Sequence, residues 1–280
     1  MSDKPVCMVT GATSGIGTAT ALAMAQNGYQ VVMLGRSEEK LISCSRMISQ
    51  QTGNSDISYH CGDLASLADV RRMAAEFLAS GKLLHRFISN AGITNAKRQT
   101  SAEGIEEMFA VNHLAPFLLT RLLLERINSS EDARIVVVAS GAHAFCKGIN
   151  FDDVNYESGF SSMKVYGHSK LANILFVHEL AKRLASTSTT ANSCHPGAVA
   201  TGLGTNNGLF GKMLMGALKP FFRTPEKGAE TSLFLANSQD VAGTSGGYYY
   251  NCKSIKPKEW ARDDEAAARL WALSEEMVAI

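Results

Sequence analysis

Two rhythms of apolar and polar positions alternate along this chain. Short runs with almost no polar interruption occur at VCMVT (Val6–Thr10), YQVVML (Tyr29–Leu34), ISYHC (Ile57–Cys61), HRFIS (His85–Ser89) and RIVVVAS (Arg134–Ser140). Runs of this length with no polar face suit strands buried on both sides. Between and after them come stretches with helical spacing: Ile16–Gln26, Glu38–Gln51, Leu67–Ala79, Val111–Arg126 and Lys164–Leu184. A sixth strand is predicted at Thr189–His195, a helix from Pro225, a seventh strand at Gly246–Asn251 and a last helix over Asp263–Met277. Strands alternating with helices imply βαβ crossovers and a parallel sheet covered on both faces. The expectation is an α/β fold, one doubly wound domain over residues 1–280 with about seven parallel strands. The rhythm breaks only at Thr201–Arg223, where leucine, methionine and phenylalanine are interleaved with glycine. Such a stretch is predicted to be a substrate lid, since Met and Leu make an adaptable apolar surface and glycines permit a hinge.

Composition narrows the function. Lys and Arg total 27 against 26 Asp and Glu, a formal charge of +1. That leaves no basic face of the kind nucleic acids require. No apolar stretch approaches the ~20 residues that span a bilayer, so membrane contact is expected at most peripherally, through the lid. The polar Met1–Pro5 start does not read as a secretory leader, and the expected location is the cytoplasm. Six scattered cysteines, without a Cys-x-x-Cys pair or a metal-type spacing with histidine, are expected as reduced, packed thiols, and no metal is expected.

The first chemistry lies directly after the first strand. Thr10-Gly11-Ala12-Thr13-Ser14-Gly15-Ile16-Gly17 joins it to the first helix. Glycines let a pyrophosphate approach the backbone, and a helix start offers free N–H groups and a positive dipole end. A dinucleotide site usually carries an acid at the end of the second strand to hold the ribose 2′-hydroxyl. Here stand Gly35-Arg36-Ser37. A guanidinium there suits a 2′-phosphate, which favours NADP(H) over NAD(H).

The second lies on the fifth predicted helix, where Tyr166 and Lys170 share a face at i and i+4. A free phenol titrates near 10. An ammonium ~4 Å away at an effective dielectric of ~20 contributes up to ~4 kcal/mol, up to about three pKa units, toward a usable base. The pair follows Ser140, at the carboxyl end of a buried strand, where ligands bind in open α/β sheets.

With these motifs on one chain, the sequence resembles the short-chain dehydrogenase/reductase family of Rossmann-type oxidoreductases. The resemblance runs through the TGATSGIG turn, Asp63-Leu64, Asn90-Ala91-Gly92, Asn112 in VNHLAPF, Ser140, Tyr166, Lys170 and Pro196-Gly197. It implies that Gly11, Thr13, Ser14, Gly15, Ile16 and Gly17 hold the cofactor phosphates, with Arg36 and Ser37 at the 2′ end. It also implies that Asp63 and Leu64 meet the adenine, and that Asn90, Ala91 and Gly92 pack by the ribose. Ser140 would hold the substrate oxygen and Tyr166 would exchange its proton. Lys170 would bind the nicotinamide ribose and lower the phenol pKa, Asn112 would hold a relay water, and Val199 and Thr201 would hold the carboxamide.

Within the family, FDDVNYESGFSSMKVYGHSKLANILFVHELAKRL, HPGAVATGL, GGYYYNC and AARLWALSEEM resemble the retinol dehydrogenase branch. That implies an apolar aldehyde, ketone or alcohol as substrate. His143, Phe145, Met213 and Leu214 are the expected lining. Two other readings remain at this stage: C=C reduction of the protochlorophyllide reductase type, and a non-catalytic NADP-binding regulator.

Overall fold

The computed structural model describes residues 4–199 and 223–279. Its strands are β1 (Val6–Thr10), β2 (Gln30–Gly35), β3 (Ile57–Cys61), β4 (Arg86–Ser89), β5 (Arg134–Val138), β6 (Thr190–Cys194), β7 (Tyr248–Tyr250) and β8 (Lys253–Ser254). They form one sheet in the order β3-β2-β1-β4-β5-β6-β7-β8. Pairings from β3 through β7 are parallel, with Met8 facing Val32 on one side and Phe87 on the other. The order reverses between β1 and β4, and at such a switch point a crevice opens beyond the carboxyl ends of the strands.

The expected seven strands become eight. Asn251 and Cys252, both with positive φ, turn the chain after β7, and β8 pairs antiparallel to it through Tyr249–Ser254 and Tyr250–Lys253. A two-residue, fully polar strand leaves no periodic trace in the sequence.

Helices cover both faces. α1 (Gly15–Gln26), α2 (Glu38–Thr52) and α7 (Pro225–Asn237) pack with Cys7, Val9, Val31, Met33 and Val136. On the other face α3 (Leu67–Ala79), α5 (Ala115–Asn128), α6 (Ser162–Arg183) and α8 (Asp264–Met277) pack with Met8, Val32, Phe87, Ile135 and Val137. Successive strand residues thus enter opposite cores, which is why these strands read as unbroken apolar runs. Caps set several helix starts: Ser37, Ser66, Thr224 and Asp263 each accept a first-turn backbone N–H. Ser14 before α1 makes no such bond, and the first turn of α1 carries no acid.

One helix departs from its expected phase. The predicted Val111–Arg126 segment is preceded by a short turn, α4 (Glu107–Phe109), and a π-turn over Ala110–Leu114 before α5 begins. A π-turn is a local widening that recurs at functional sites, and this one carries Asn112. Among the described residues, no helix is long and apolar enough to cross a membrane.

Candidate active site

The β1–α1 turn is tied to the end of β4. Thr10 Oγ1 accepts the backbone N–H of Asn90 at 3.0 Å and of Ala91 at 2.9 Å, and Asn90 Nδ2 donates to Thr10 O at 3.0 Å. Asn90 therefore fastens two loops together. At Gly17 a side chain would collide with the carbonyl oxygen of Gly11 and approach Asn90 Nδ2 to 2.6 Å, so only glycine lets α1 start this close to the turn.

These loops form one end of a cavity of about 590 Å³. Gly11, Thr13, Ser14, Ile16 and Gly17 line it beside the uncapped start of α1. Arg36, Asp63 and Leu64 line the adjoining corner, with Asn90, Ala91 and Gly92 along the middle. Lys40, not anticipated from sequence, joins Arg36 there. It stands one turn into α2 and reads there as an ordinary solvated position; its spacing of four from Arg36 was the available signal. Both side chains are exposed, and among the described residues neither makes an ion pair.

Two residues expected at the cofactor are not on this wall. Gly15 opens α1 at φ +53° without lining the cavity. Ser37 turns its hydroxyl to the N–H of Lys40 at 3.4 Å, capping α2. Thr201, Met213, Leu214 and the whole expected lid lie outside the described residues, save Arg223.

At the other end, α6 brings Tyr166 and Lys170 to the wall with Ser140. The Ser140 hydroxyl accepts the Ala142 N–H at 3.1 Å, capping the 3-10 turn Gly141–Phe145. Lys170 is 3 % exposed and donates to Val138 O at 3.0 Å; its Nζ stands 5.8 Å from the Tyr166 ring centre. Burial pulls the lysine down to about 8. The expected lowering of the phenol is not what this site shows: burial raises Tyr166 above its ordinary value, against the opposing effect of the Ser140 hydroxyl.

Asn112 sits behind the wall rather than on it. Its Oδ1 accepts the Ile93 N–H at 2.7 Å, and its Nδ2 donates to Ile93 O at 3.0 Å and to Ser169 Oγ at 2.9 Å. The amide expected to hold a water thus rivets the loop after Gly92 to α6. A Cβ on Gly92 would stand 3.1 Å from Lys170 Nζ and 3.4 Å from Asn112 Oδ1, so the three meet at one point.

The substrate lining also differs from expectation. His143 is buried: its Nδ1 pairs with Ser140 O at 2.8 Å, its Nε2 accepts the Lys258 N–H at 3.4 Å, and its ring meets Tyr248 edge-on at 5.2 Å. The 3-10 turn carries it under the sheet edge. Phe145 is 57 % exposed and likewise does not line the cavity. Ile93, Thr94, Val111 and Met163 stand there instead, with Glu107, whose Oε2 accepts from Asn95 Nδ2 at 2.6 Å. Beside it Glu106 is fully buried, accepts the Phe109 N–H at 2.7 Å, and leaves Oε1 without a partner. Burial pushes it up to about 7.

Pro196, Gly197, Ala198 and Val199 line the cavity. Gly197 has φ +80°, a conformation that disfavours any other residue, and a Cβ there would meet Arg223 Nε at 2.9 Å and push the arginine stem aside.

Residues 5–209 match the family model described as short chain dehydrogenase. Retinol dehydrogenase 12 of Mus musculus is 40 % identical over 275 residues, covering 98 % of this chain and 86 % of the mouse protein. A crystal structure of a protein from Mycobacterium paratuberculosis is 31 % identical with a TM-score of 0.78, over 99 % of this chain and 96 % of that one. A short chain dehydrogenase from Escherichia coli complexed with NADPH is 22 % identical with a TM-score of 0.69, over 88 % of this chain and 96 % of that one, a likeness of fold.

Proposed function

The chain belongs to the short chain dehydrogenase family and is retinol dehydrogenase-like, and on that premise we propose that it is an NADP(H)-dependent oxidoreductase interconverting an apolar aldehyde or ketone with its alcohol. The observation that carries this reading is one cavity with a glycine turn and the cations Arg36 and Lys40 at one end and Ser140, Tyr166 and Lys170 at the other.

The residues suit the cofactor. The free N–H groups of α1 and the space kept by Gly17 fit a pyrophosphate. Arg36 and Lys40 fit a 2′-phosphate, Asp63 and Leu64 an adenine, Lys170 a ribose, and Pro196 to Val199 a carboxamide. When bound, the nicotinamide supplies or accepts the hydride.

The protein's own part is the proton. In reduction, Tyr166 donates its phenolic proton to the carbonyl oxygen while the Ser140 hydroxyl donates a hydrogen bond to the same atom. The raised phenol pKa keeps that proton in place until it is needed. In oxidation the phenolate must form, and the neighbouring Lys170 ammonium favours it. Asn112 keeps Gly92 and Ile93 aligned with Lys170. Ile93, Val111 and Met163 give the substrate an apolar wall.

The test is a panel of aldehydes and ketones of increasing apolar length with NADPH or NADH, followed by absorbance of the reduced nicotinamide and product identification. Alcohol formed with NADPH supports the reading; a saturated carbonyl product, or no turnover with any member, overturns it.

A further inference from the structure

Among the described residues, the cavity wall Pro196–Val199 has little regular structure of its own. It follows β6, and its one ladder contact is the isolated bridge between Val199 and Arg223. What holds it is a circuit of contacts outside the cavity. His195 Nδ1 accepts the Gly197 N–H at 3.2 Å. The His195 ring lies on the Tyr250 ring, 4.1 Å between centres and 7° from parallel. The Arg223 guanidinium stands 4.9 Å from the Tyr250 ring centre, and its Nη2 donates to the Tyr250 hydroxyl at 2.7 Å and its Nη1 to Asn251 Oδ1 at 2.5 Å. The backbone of Arg223 then donates to Ala198 O at 2.8 Å, returning to the wall. Gly197 accommodates the arginine stem.

We propose that His195, Tyr250 and Arg223 are positioning residues, a clamp that fixes the Pro196–Val199 wall and thereby sets affinity for the nicotinamide half of the cofactor without touching it. None of the three lines the cavity. The inference rests on the reading of that cavity as an NADP(H) site. Its physical basis is preorganisation. Ordering a free backbone residue costs about 1–2 kcal/mol in lost entropy, and a wall already ordered by the clamp spares a ligand that cost. The circuit also needs a neutral His195, since Nδ1 must accept. Burial first, then the charges of His143 and Arg223, hold it down to about 4.

The experiment compares two ligands on the full chain: NADPH, and 2′,5′-ADP, which is the adenosine half alone. Arg223→Met keeps the unbranched stem and removes the fork. NADPH affinity, read by ligand fluorescence, falls about tenfold, the scale of a lost hydrogen bond to a charged group, while 2′,5′-ADP affinity stays within about twofold. Tyr250→Phe, a milder change that keeps the ring stack, lowers NADPH affinity in the same direction but less. Equal weakening of both ligands would mean general structural damage and overturns the clamp, as does unchanged NADPH binding in both variants. A wild-type protein that binds neither ligand overturns the cavity reading itself, a separate outcome from the first two.

Discussion

The Lys170 ammonium stands 5.8 Å from the centre of the Tyr166 ring, but its hydrogen bond runs to Val138 O at the end of β5. The helix therefore supplies a cation beside the phenol while the sheet fixes where that cation sits. Burial weakens both charges at once, lowering the lysine to about 8 and raising the tyrosine. Such a site favours a protonated phenol, the form reduction needs, and makes oxidation depend more strongly on alkaline pH.

Tyr166→Phe keeps the ring and its packing against the cluster of Met108, Tyr156 and Val165 but removes the proton donor. General acid catalysis is typically worth about 10²–10⁴-fold, so kcat should fall at least a hundredfold with NADPH affinity nearly unchanged. Single-turnover assays and a binding titration check the two halves. Near-normal turnover would end the proposed chemistry.

Arg36 and Lys40 share one corner of the cavity with no acidic partner among the described residues. Either one replaced by alanine should weaken NADPH by about ten- to a hundredfold, since a charge-assisted contact is worth ~1.5–3 kcal/mol. NADH should weaken far less. The ratio of kcat/KM for the two cofactors reads this directly, and equal losses would remove the basis for NADP(H) preference.

Which parts were legible in the chain follows from how local their causes are. The Thr10–Gly17 turn and the Tyr166–Lys170 pair are set by spacing over a few residues, and Gly11, Thr13, Ser14, Ile16 and Gly17 of the turn line the cavity with the pair. So was the strand order's raw material, because residues buried on both faces leave unbroken apolar runs. His143 misled because its nearness to Ser140 in sequence suggested the pocket, whereas a 3-10 turn rotates it into contacts with Tyr248 and Lys258. Ser37 stands where the missing acid would meet the ribose, but a serine before a helix has a local use for its hydroxyl. The π-turn at Asn112 widens the helical repeat locally, and no glycine or proline at positions 110–114 marks it in the sequence. Arg223 and Tyr250 meet only because β7 runs beside β6, a long-range pairing no spacing encodes.

Asn112 makes three hydrogen bonds, two of them to the backbone of Ile93. Asn112→Ala would strand the Ile93 N–H and C=O and remove the donor to the Ser169 hydroxyl, which keeps its own bond to Tyr166 O. Each unsatisfied buried group costs about 1–3 kcal/mol. The expected result is a drop in urea midpoint at unchanged slope, with kcat reduced because Gly92 and Lys170 lose their shared anchor. Unchanged stability would show that the three bonds are replaced by water at little cost.

Glu106 gives the sharpest test of the electrostatics. Burial raises its carboxyl from 4.5 to about 7, against the opposing hydrogen bonds of the Phe109 and Met108 N–H groups; Glu107 adds to the rise and Arg98 opposes it. Between those two values the folded state holds a proton that the unfolded chain has released. The stability tied to that proton is fully present below pH 4.5 and is lost as pH rises through 7. The whole effect is about 3 kcal/mol, of which about 2 kcal/mol falls between about pH 5.5 and about pH 8.5. Glu106→Gln cannot titrate and keeps an oxygen for the Phe109 N–H. Relative to the wild type, it should therefore gain stability steadily as pH rises across that window. His85, His113, His143, His168 and His195, each lowered by burial, act in the opposite direction and are common to both proteins. Their contribution cancels in the comparison. Urea unfolding of both proteins at the two pH values decides the matter. Parallel stability curves would mean that Glu106 is ionised in the folded protein throughout, and that its unpartnered Oε1 is reached by solvent.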